Sequence, residues 1–204
     1  MKITALTKKN GSRWQVDVDG AYWYILDAEL ILQYHLRVGM EVEEPLLAKV
    51  MDAAQRRKAR ERAFYLLELR EHSKKELIDK LARSVSYEIA EETSVRMEEL
   101  GLIREDAYAR RLAEYLMLTK KRGPRRVRLE MRQKGLSEDL IDAAIEAVQP
   151  EEELLVALVR QKYARYLGDE KGKNKVLQAL MRLGHSYYDA LDAVETVEQE
   201  IAAD

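Results

Sequence analysis

The sequence predicts a mainly α-helical protein, in which tandem three-helix repeats form an elongated curved array after a small N-terminal three-stranded β meander. One observation behind this prediction is a repeat, because three pairs of residues are each separated by 49 positions. The other is that strand-like patterns give way to helical apolar spacing near residue 45. With 204 residues, 47% of them hydrophobic, the chain can bury a real core. The pairs are Gly123 and Gly172, Gly135 and Gly184, and Ser137 and Ser186.

Residues 1–44 are predicted to form the meander and a short helix. Asn10-Gly11 suits a type I′ hairpin turn, and Asp19-Gly20 marks a second turn. Asp27 is placed to cap a short helix over Ala28–Leu36. The predicted strands are Ile3–Lys8, Arg13–Val18 and Ala21–Leu26.

The remainder is predicted to contain helices only, with a long helix and a first three-helix unit in 45–103, a second unit in 104–149 and a third in 150–204. The long helix begins at Pro45 and runs to Arg70. Because each unit is too small to bury its own apolar stripe, neighbouring units should stack; one compact bundle is the alternative. The other predicted helices are Lys74–Arg83, Tyr87–Leu100, Asp106–Lys121, Arg125–Lys134, Glu138–Val148, Glu152–Leu167, Lys173–Leu183 and Tyr187–Ile201.

Capping signals set several helix boundaries. Ser73 and Glu76 have the spacing of a capping box, in which each side chain bonds the other residue's amide. In Gly135–Ser137 and again in Gly184–Ser186, a glycine suited to a left-handed helix end precedes a serine suited to an N-cap. The same stop-and-start signal therefore recurs in two units.

Charge is segregated along the chain although the formal net charge is only −2. Residues 120–137 contain eight basic side chains and one acid. Residues 137–153 contain seven acids and no base, and residues 186–204 contain six acids and no base. Such segregation produces positive and negative faces that steer charged partners. The candidate binding residues are Lys120, Lys121, Arg122, Arg125, Arg126, Arg128, Arg132 and Lys134.

The basic helix has a predicted binding face and a predicted packing face. At about 100° per residue, Arg125, Arg128 and Arg132 lie along one side, and Lys121 and Arg122 extend it. The planar guanidinium group of arginine can donate two parallel hydrogen bonds to a phosphate or a carboxylate. The alternative is a solvated face whose arginine stems cover apolar surface. The side chains expected to pack on the opposite side are Val127, Leu129 and Met131.

Weaker basic signals lie in the long helix and in the third unit. A solvated helix face explains the first of them equally well. Four tyrosines of the third unit are expected in the core or at its edge, since they are not spaced as stacking platforms for single strands. The secondary basic candidates are Arg56, Arg57, Arg60, Lys171, Lys173 and Lys175; the tyrosines are Tyr163, Tyr166, Tyr187 and Tyr188.

No catalytic set is visible, so an enzyme is not predicted and no cofactor is expected. His35, His72 and His185 are far apart, lack metal-ligand spacing, and are expected at the surface or at helix ends. The chain has no cysteine and no apolar run of about 18 residues, and Met1–Asn10 has a strand pattern rather than that of a signal peptide. A cytoplasmic location is therefore expected.

The order and spacing of several motifs resemble the RecX family of regulatory proteins over roughly residues 56–197. Two departures occur: Arg104-Glu105 stands where an acidic pair is frequent, and Arg83–Ser86 lacks a Lys-Gly turn. The N-terminal strands also resemble an extension found in some members. The motifs are His72-Ser73-Lys74-Lys75-Glu76-Leu77, Leu100-Gly101-Leu102-Ile103, Ala107-Tyr108-Ala109, Lys121-Arg122-Gly123-Pro124-Arg125-Arg126-Val127 and Glu130-Met131-Arg132-Gln133-Lys134-Gly135-Leu136-Ser137.

This resemblance implies a non-enzymatic modulator of RecA recombinase. Members lie along the groove of the RecA–DNA filament and hinder its ATP hydrolysis, strand exchange and co-protease activity, which affects recombination, DNA repair and the SOS response. The basic helix Arg125–Lys134 would lie at the contact. A monomer is expected, because the surface is charged and no heptad seam is visible.

Two alternatives remain open. The chain could bind the single- or double-stranded DNA backbone directly through its basic helix. Base reading in the major groove is disfavoured, because Glu138–Val148, which would be the recognition helix, is acidic and has no Arg, Lys, Asn or Gln. The chain could also be a helical scaffold for another protein.

Overall fold

Helices make up most of the chain beyond residue 27 in the computed structural model, which describes residues 1–148 and 154–203. The chain divides into two lobes. The first lobe contains Met1–Arg70 and Leu77–Leu100, and the second contains Glu71–Glu76 and Gly101–Asp204. The predicted boundaries after residues 44 and 103 stay predictions. The boundary at residue 149, the helix start at Glu152 and the acids Glu151, Glu153 and Asp204 lie outside the described residues.

The first lobe begins with the predicted antiparallel meander, in the strand order β1-β2-β3. Asp19 and Gly20 both have positive φ, 52° and 82°, as a type I′ turn between β2 and β3 requires. The strands are β1 (Ile3–Lys8), β2 (Arg13–Val18) and β3 (Ala21–Asp27). The small N-terminal sheet is thus confirmed.

The turn between β1 and β2 differs from the prediction. Only Gly11 has positive φ, 64°, whereas a type I′ turn would require it of Asn10 as well. The register pairs Lys8 with Trp14 and leaves a loop too long for a two-residue turn. The hydroxyl of Ser12 donates to Asp27 Oδ2 at 2.6 Å, which ties the end of this loop to β3.

Helix α1 (Ala28–Gln33) follows β3 and is capped by Asp27, which accepts from the Glu29 amide. It is shorter than the predicted Ala28–Leu36, because His35 has a left-handed φ of 51° that ends the helix. One apolar core joins the sheet, α1 and the first half of the next helix. Its buried residues are Ile3, Val16, Val18, Leu26, Leu30, Leu36, Val42, Leu47, Val50 and Ala54.

The long helix α2 (Glu44–Leu69) has Pro45 in its first turn, as predicted. Helix α3 (Lys74–Leu81) follows, and its capping box forms: the Glu76 amide donates to Ser73 Oγ at 3.1 Å, and the Ser73 amide to Glu76 Oε2 at 3.3 Å. Helix α4 (Tyr87–Glu99) is capped by Ser86 and packs on α2.

The second lobe continues with two groups of three helices. The predicted helix Asp106–Lys121 is not regular, since α5 ends at Glu114 and a π-helical segment, Tyr115–Thr119, follows. Glu105 does not cap α5; its Oε1 accepts from the Lys74 amide at 2.9 Å. The helices are α5 (Glu105–Glu114), α6 (Pro124–Gln133), α7 (Glu138–Ala147), α8 (Leu154–Lys162), α9 (Glu170–Arg182) and α10 (Tyr187–Ala203). None of the described helices combines the length and apolar composition that a bilayer crossing requires.

Each of these two groups of three helices has its own apolar cluster, so the expectation that a unit could not bury its own stripe was wrong for the second and third units. Short helices suffice because small side chains such as Ala109, Ala113 and Ala144 allow close packing. The middle cluster is Tyr108, Ala109, Ala113, Leu116, Met117, Val127, Met131, Leu136, Ile141, Ala144 and Val148. The last is Leu158, Val159, Val176, Leu177, Leu180, Ala190, Ala193, Val194 and Val197.

The 49-residue spacing corresponds to a repeated helix end. Gly135 and Gly184 follow α6 and α9 with left-handed φ of 82° and 98°, and Ser137 and Ser186 then accept from amides at the start of α7 and α10. Gly123 and Gly172, which are also 49 residues apart, do not occupy equivalent positions, because Gly123 precedes α6 whereas Gly172 lies inside α9. Helix α9 starts earlier than predicted, at Glu170, because Asp169 accepts from the Gly172 amide.

These glycines form a joint that occurs twice in the second lobe. A Cβ on Gly135 would lie 2.5 Å from Lys75 Cβ, and the Ser73 hydroxyl donates to the Lys134 carbonyl. The end of α6 therefore abuts the first turn of α3. The main chain of Gly135 lies against the side chain of Lys75, so there is no room for a side chain at residue 135.

At the second joint the end of α9 abuts the start of α6, here through main-chain atoms. The Gly123 amide donates to the Leu183 carbonyl at 2.9 Å, and Leu183 is 49 residues after Lys134. A Cβ on Gly123 would overlap the carbonyl group of Gly184, and one on Gly184 would lie 2.5 Å from the Arg126 amide nitrogen. We call these two contacts the glycine joints.

We expect Gly123→Ala to lower the free energy of unfolding of the second lobe by about 1–3 kcal/mol, the usual cost of forcing extra atoms into a packed site. The backbone φ of Gly123, −75°, suits alanine, so the effect isolates the close approach. Urea unfolding followed by far-UV circular dichroism measures it. Gly168→Ala is the matched control, because no atom of the described residues lies within 4 Å of its added Cβ. Equal losses in both variants would contradict the joint.

Candidate partner-binding surface

Helix α6 has one buried side and one exposed side. Val127 and Met131 are fully buried in the middle cluster, as expected. Leu129 was expected to pack beside them but is 44% exposed. The reason is geometric, since two residues rotate the chain by about 200° and place Leu129 opposite both. It lies beside Arg125, one helical turn away.

The eight predicted binding residues, which we call the basic surface, all lie between the end of the π-helical segment and Lys134, the residue that follows α6. Five of them are ion-paired within the second lobe. Glu130 is paired with Arg122 and Arg126, the latter through Nε at 2.8 Å. The remaining pairs are Arg128 with Asp142, Arg132 with Glu138, and Lys134 with Glu76.

Helix α7 neutralises part of the basic surface. Arg132 forms a two-pronged bond to Glu138, with nitrogen–oxygen distances of 2.5 and 2.8 Å, and Arg128 is paired one turn away with Asp142. The sequence places Glu138 and Asp142 on a separate acidic helix, as observed, but their pairing with Arg132 and Arg128 was not predicted. The signal that could have revealed the pairing is the matching spacing of four residues in both helices, which are joined by a short turn.

Lys134 serves the first glycine joint. Its Nζ donates to Glu76 Oε1 at 2.6 Å, while the other oxygen of Glu76 accepts from the Tyr108 hydroxyl at 2.9 Å and from the Ser73 amide. The Glu76 side chain is only 14% exposed, so the surrounding hydrogen bonds compensate for its desolvation. Lys134 therefore holds α6 to the first turn of α3.

Three cations of the basic surface have no acidic side chain within 4.0 Å among residues 1–148 and 154–203: Lys120, Lys121 and Arg125. Lys120 lies over the Tyr115 ring at 5.4 Å from its centroid. His185 Nε2 donates to the Lys121 carbonyl at 3.0 Å, which fixes the turn before α6. With Leu129, these three side chains form what we call the unpaired surface.

The secondary basic candidates also divide into residues that are ion-paired and residues that have no acidic partner in the described chain. In the first lobe Arg56 is paired with Asp52 and Glu92, and Arg57 with Glu29 and Glu61. In the second lobe Lys173 donates to Glu198 at 2.9 Å. Within the described chain, the candidates that are exposed without an acidic partner are Arg60, Lys171 and Lys175.

One minor expectation needs correction, because Tyr188 is 80% exposed rather than part of the core or its edge, whereas Tyr163 packs against the last apolar cluster as expected. His72 lies next to the start of α3, at a helix end as expected, and its side chain is buried there.

The arginine of α6 changes the titration of its partner on α7. The hydrogen bonds from Arg132 hold the pKa of Glu138 below its ordinary value of 4.5. Glu200, which accepts two bonds from Arg160, has its pKa lowered for the same reason. Both carboxylates are exposed, so the effect is local.

We expect the Glu138 carboxyl to titrate below pH 4.5, and Arg132→Gln to return its pKa toward that value. Because the folded pKa is the lower one, the ion pair contributes stability above the unfolded pKa and loses it as the pH falls through the folded pKa. Carboxyl-detected NMR titration of both proteins measures this. Glu200 provides an internal control whose pKa the substitution should leave unchanged. An unchanged pKa of Glu138 would contradict the pairing.

The chain is similar in sequence to proteins of one family. The sequence pattern of the second three-helix domain of RecX matches residues 105–145, which correspond to α5–α7. The chain is 32% identical over 182 residues to "Regulatory protein RecX" of Levilactobacillus brevis, an alignment that covers 87% of this chain and 68% of that protein.

Two crystal structures are also similar. One regulatory protein RecX superimposes with a TM-score of 0.67 and 26% identity, covering 97% of this chain and 98% of its own. RecX from Lactobacillus salivarius superimposes with a TM-score of 0.61 and 25% identity, covering 74% of this chain and 99% of its own. The mainly helical fold with three-helix units and a small sheet is thereby confirmed, and the chain belongs to the RecX family of regulatory proteins.

Proposed function

We propose that this chain is a non-enzymatic cytoplasmic regulator of RecA recombinase. It binds the RecA–DNA filament and inhibits ATP hydrolysis, strand exchange and co-protease activity, with effects on recombination, DNA repair and the SOS response. Membership in a family of regulatory proteins supports this class of function. The N-terminal sheet plays no part in this proposal, which concerns the second lobe.

The observation that carries the proposal is the mixed chemistry of the unpaired surface. Lys120, Lys121 and Arg125 supply positive charge, and Leu129 adds an exposed apolar side chain one turn from Arg125. Arginine is enriched in protein interfaces and among the residues that dominate their binding energy, and Leu129 adds apolar area beside Arg125 that a protein partner can bury. A phosphate backbone has no apolar surface that could bury Leu129. The unpaired surface is therefore complementary to an acidic protein surface that contains an apolar pocket.

Direct DNA binding is the weaker alternative. Glu138 and Asp142, which would lie on a recognition helix, are occupied by arginines of α6. These pairs consume positive charge that phosphates would otherwise meet. DNA contact by this surface is therefore limited to the few unpaired cations.

We expect the double substitution Arg125→Glu and Leu129→Asp to weaken inhibition of RecA at least about tenfold, because it removes a charge contact and an apolar anchor together. The measurement is ATP hydrolysis by RecA on single-stranded DNA during a titration with this protein from sub-stoichiometric ratios. Lys49→Glu, an exposed charge reversal on α2, is the matched control and should inhibit like the unsubstituted protein.

Circular dichroism serves to check that the variants fold. We expect them to fold, because both side chains replaced in the double variant are exposed. Unchanged inhibition by the double variant would refute the assignment of this surface. Absence of inhibition by the unsubstituted protein up to equimolar ratio would refute the proposed function itself.

We expect direct binding to duplex DNA to be only weakly dependent on salt. Each neutralised phosphate contributes a slope of about −0.9 in log affinity against log salt concentration, so three cations give about −2.7 and eight give about −7. Fluorescence anisotropy with a labelled duplex at several salt concentrations measures this slope. A value near −7 would mean that the intramolecular ion pairs open on DNA, and would favour the nucleic-acid alternative.

A further inference from the structure

The sheet of the first lobe has one protected edge and one open edge. The outer edge of β1 is covered by the segment 39–42: the Ile3 amide donates to the Met40 carbonyl at 2.9 Å, and the Gly39 amide to the Ile3 carbonyl at 2.8 Å. The Val42 amide similarly bonds Met1. Among the described residues, no main-chain group bonds the outer edge of β3.

The register shows which groups of β3 face outward. The Ala28 amide donates to the Ser12 carbonyl at 2.8 Å, so these two residues form a hydrogen-bonded pair. Because such pairs alternate along antiparallel strands, the pair of Gln15 with Ile25 is not hydrogen-bonded. The N–H and C=O of Ile25 therefore point away from β2. An edge of this kind is a template for a further strand.

Nothing in the sequence of β3 blocks such pairing. Its seven residues include no Pro and no Lys, the usual protections of an open edge. Its exposed side chains are apolar instead, with Tyr22 at 61% and Ile25 at 43% exposure. The strand therefore has both the free main-chain groups and the apolar surface that an added strand uses.

A groove of about 350 Å³ runs beside this edge. One wall is formed by β3. The other is a stripe on α2 at positions 54, 57, 58 and 61, which share a helix face. A strand edge opposite a helix face is a shape that an extended peptide fills.

Unbalanced positive charge marks the groove. Its acids are satisfied, since Asp27 accepts from Ser12 at 2.6 Å and Glu61 from Arg57 at 2.9 Å. Arg13 and Lys58 are exposed and have no acidic side chain within 4.0 Å in the described chain. Lys58 Nζ donates to the Ser84 carbonyl at 3.3 Å. An acidic occupant would therefore meet two cations that have no acidic partner among the described residues, Arg13 of the sheet and Lys58 of the helix.

We propose that the edge of β3 and the facing stripe of α2 form a docking site for an extended acidic segment of a partner protein. The segment pairs with Ile25 as a fourth strand and directs its carboxylates to Arg13 and Lys58. Main-chain bonds supply the affinity and the two cations select for acidic sequence. This site is independent of the surface on α6.

The test uses the whole chain and fluorescent peptides of about eight residues, a typical strand length. The probe alternates glutamate and valine. One matched peptide replaces glutamate by lysine, and another is N-methylated at alternate amides, which removes strand hydrogen bonds and leaves the charge unchanged. Fluorescence anisotropy should show at least about tenfold weaker binding for both.

Two test variants and one control variant complete the test. Lys58→Glu should weaken binding of the acidic probe at least about tenfold, and Lys49→Glu, on the same helix, should leave it unchanged. Ile25→Pro removes the outward N–H without breaking a bond to β2, because edge strands tolerate proline at such positions. It should abolish binding, and circular dichroism checks its fold.

Four outcomes would overturn the proposal. They are no binding of the acidic probe up to about 1 mM, equal binding of the N-methylated probe, equal binding by Lys58→Glu, and self-association that Ile25→Pro abolishes. The last would identify a second copy of this chain as the occupant. Lys58→Glu is expected to inhibit RecA normally in every case. A negative result for the docking site can therefore be distinguished from a negative result for the RecA-inhibiting function proposed for α6.

Discussion

The close approach of main chain at the glycine joints determines where the basic helix lies. The Gly123 amide bonds the Leu183 carbonyl at one end of α6, and the Ser73 hydroxyl bonds the Lys134 carbonyl at the other. Both contacts require glycine, at Gly123 and Gly184 in one case and at Gly135 in the other. Helix α6 is therefore held at both ends, and its exposed side has a fixed orientation in the second lobe.

Ion pairing then determines which part of the exposed side of α6 is available for binding a partner. Eight basic residues in the sequence reduce to three without an acidic partner within the described chain, because Glu130, Glu138, Asp142 and Glu76 take the others. Surface pairs of this kind contribute little to stability but lower the local potential. The unpaired surface is smaller and more apolar than the sequence indicates, and this favours a protein partner over a phosphate backbone.

Local signals made much of the fold predictable. The capping box of Ser73 and Glu76 and the N-cap of Ser137 form as predicted, because these bonds depend on residues within one turn. The basic surface was found as a segment for the same reason. Its partners were not found, because the pairing of Arg128 with Asp142 depends on how two helices pack. The π-helical segment Tyr115–Thr119 was also missed, since its composition does not differ from that of a regular helix.

The glycine joints also bear on how such a chain can change in evolution. The second joint consists mainly of peptide groups, whereas the first also depends on the side chains of Ser73, Lys75 and Lys134. Side chains elsewhere on α6 and α9 can therefore change without loss of fit at the second joint, provided that Gly123 and Gly184 are retained. A duplicated unit would already carry both halves of the contact, so a chain of this type can gain or lose a unit by gene duplication or deletion without a new interface having to arise.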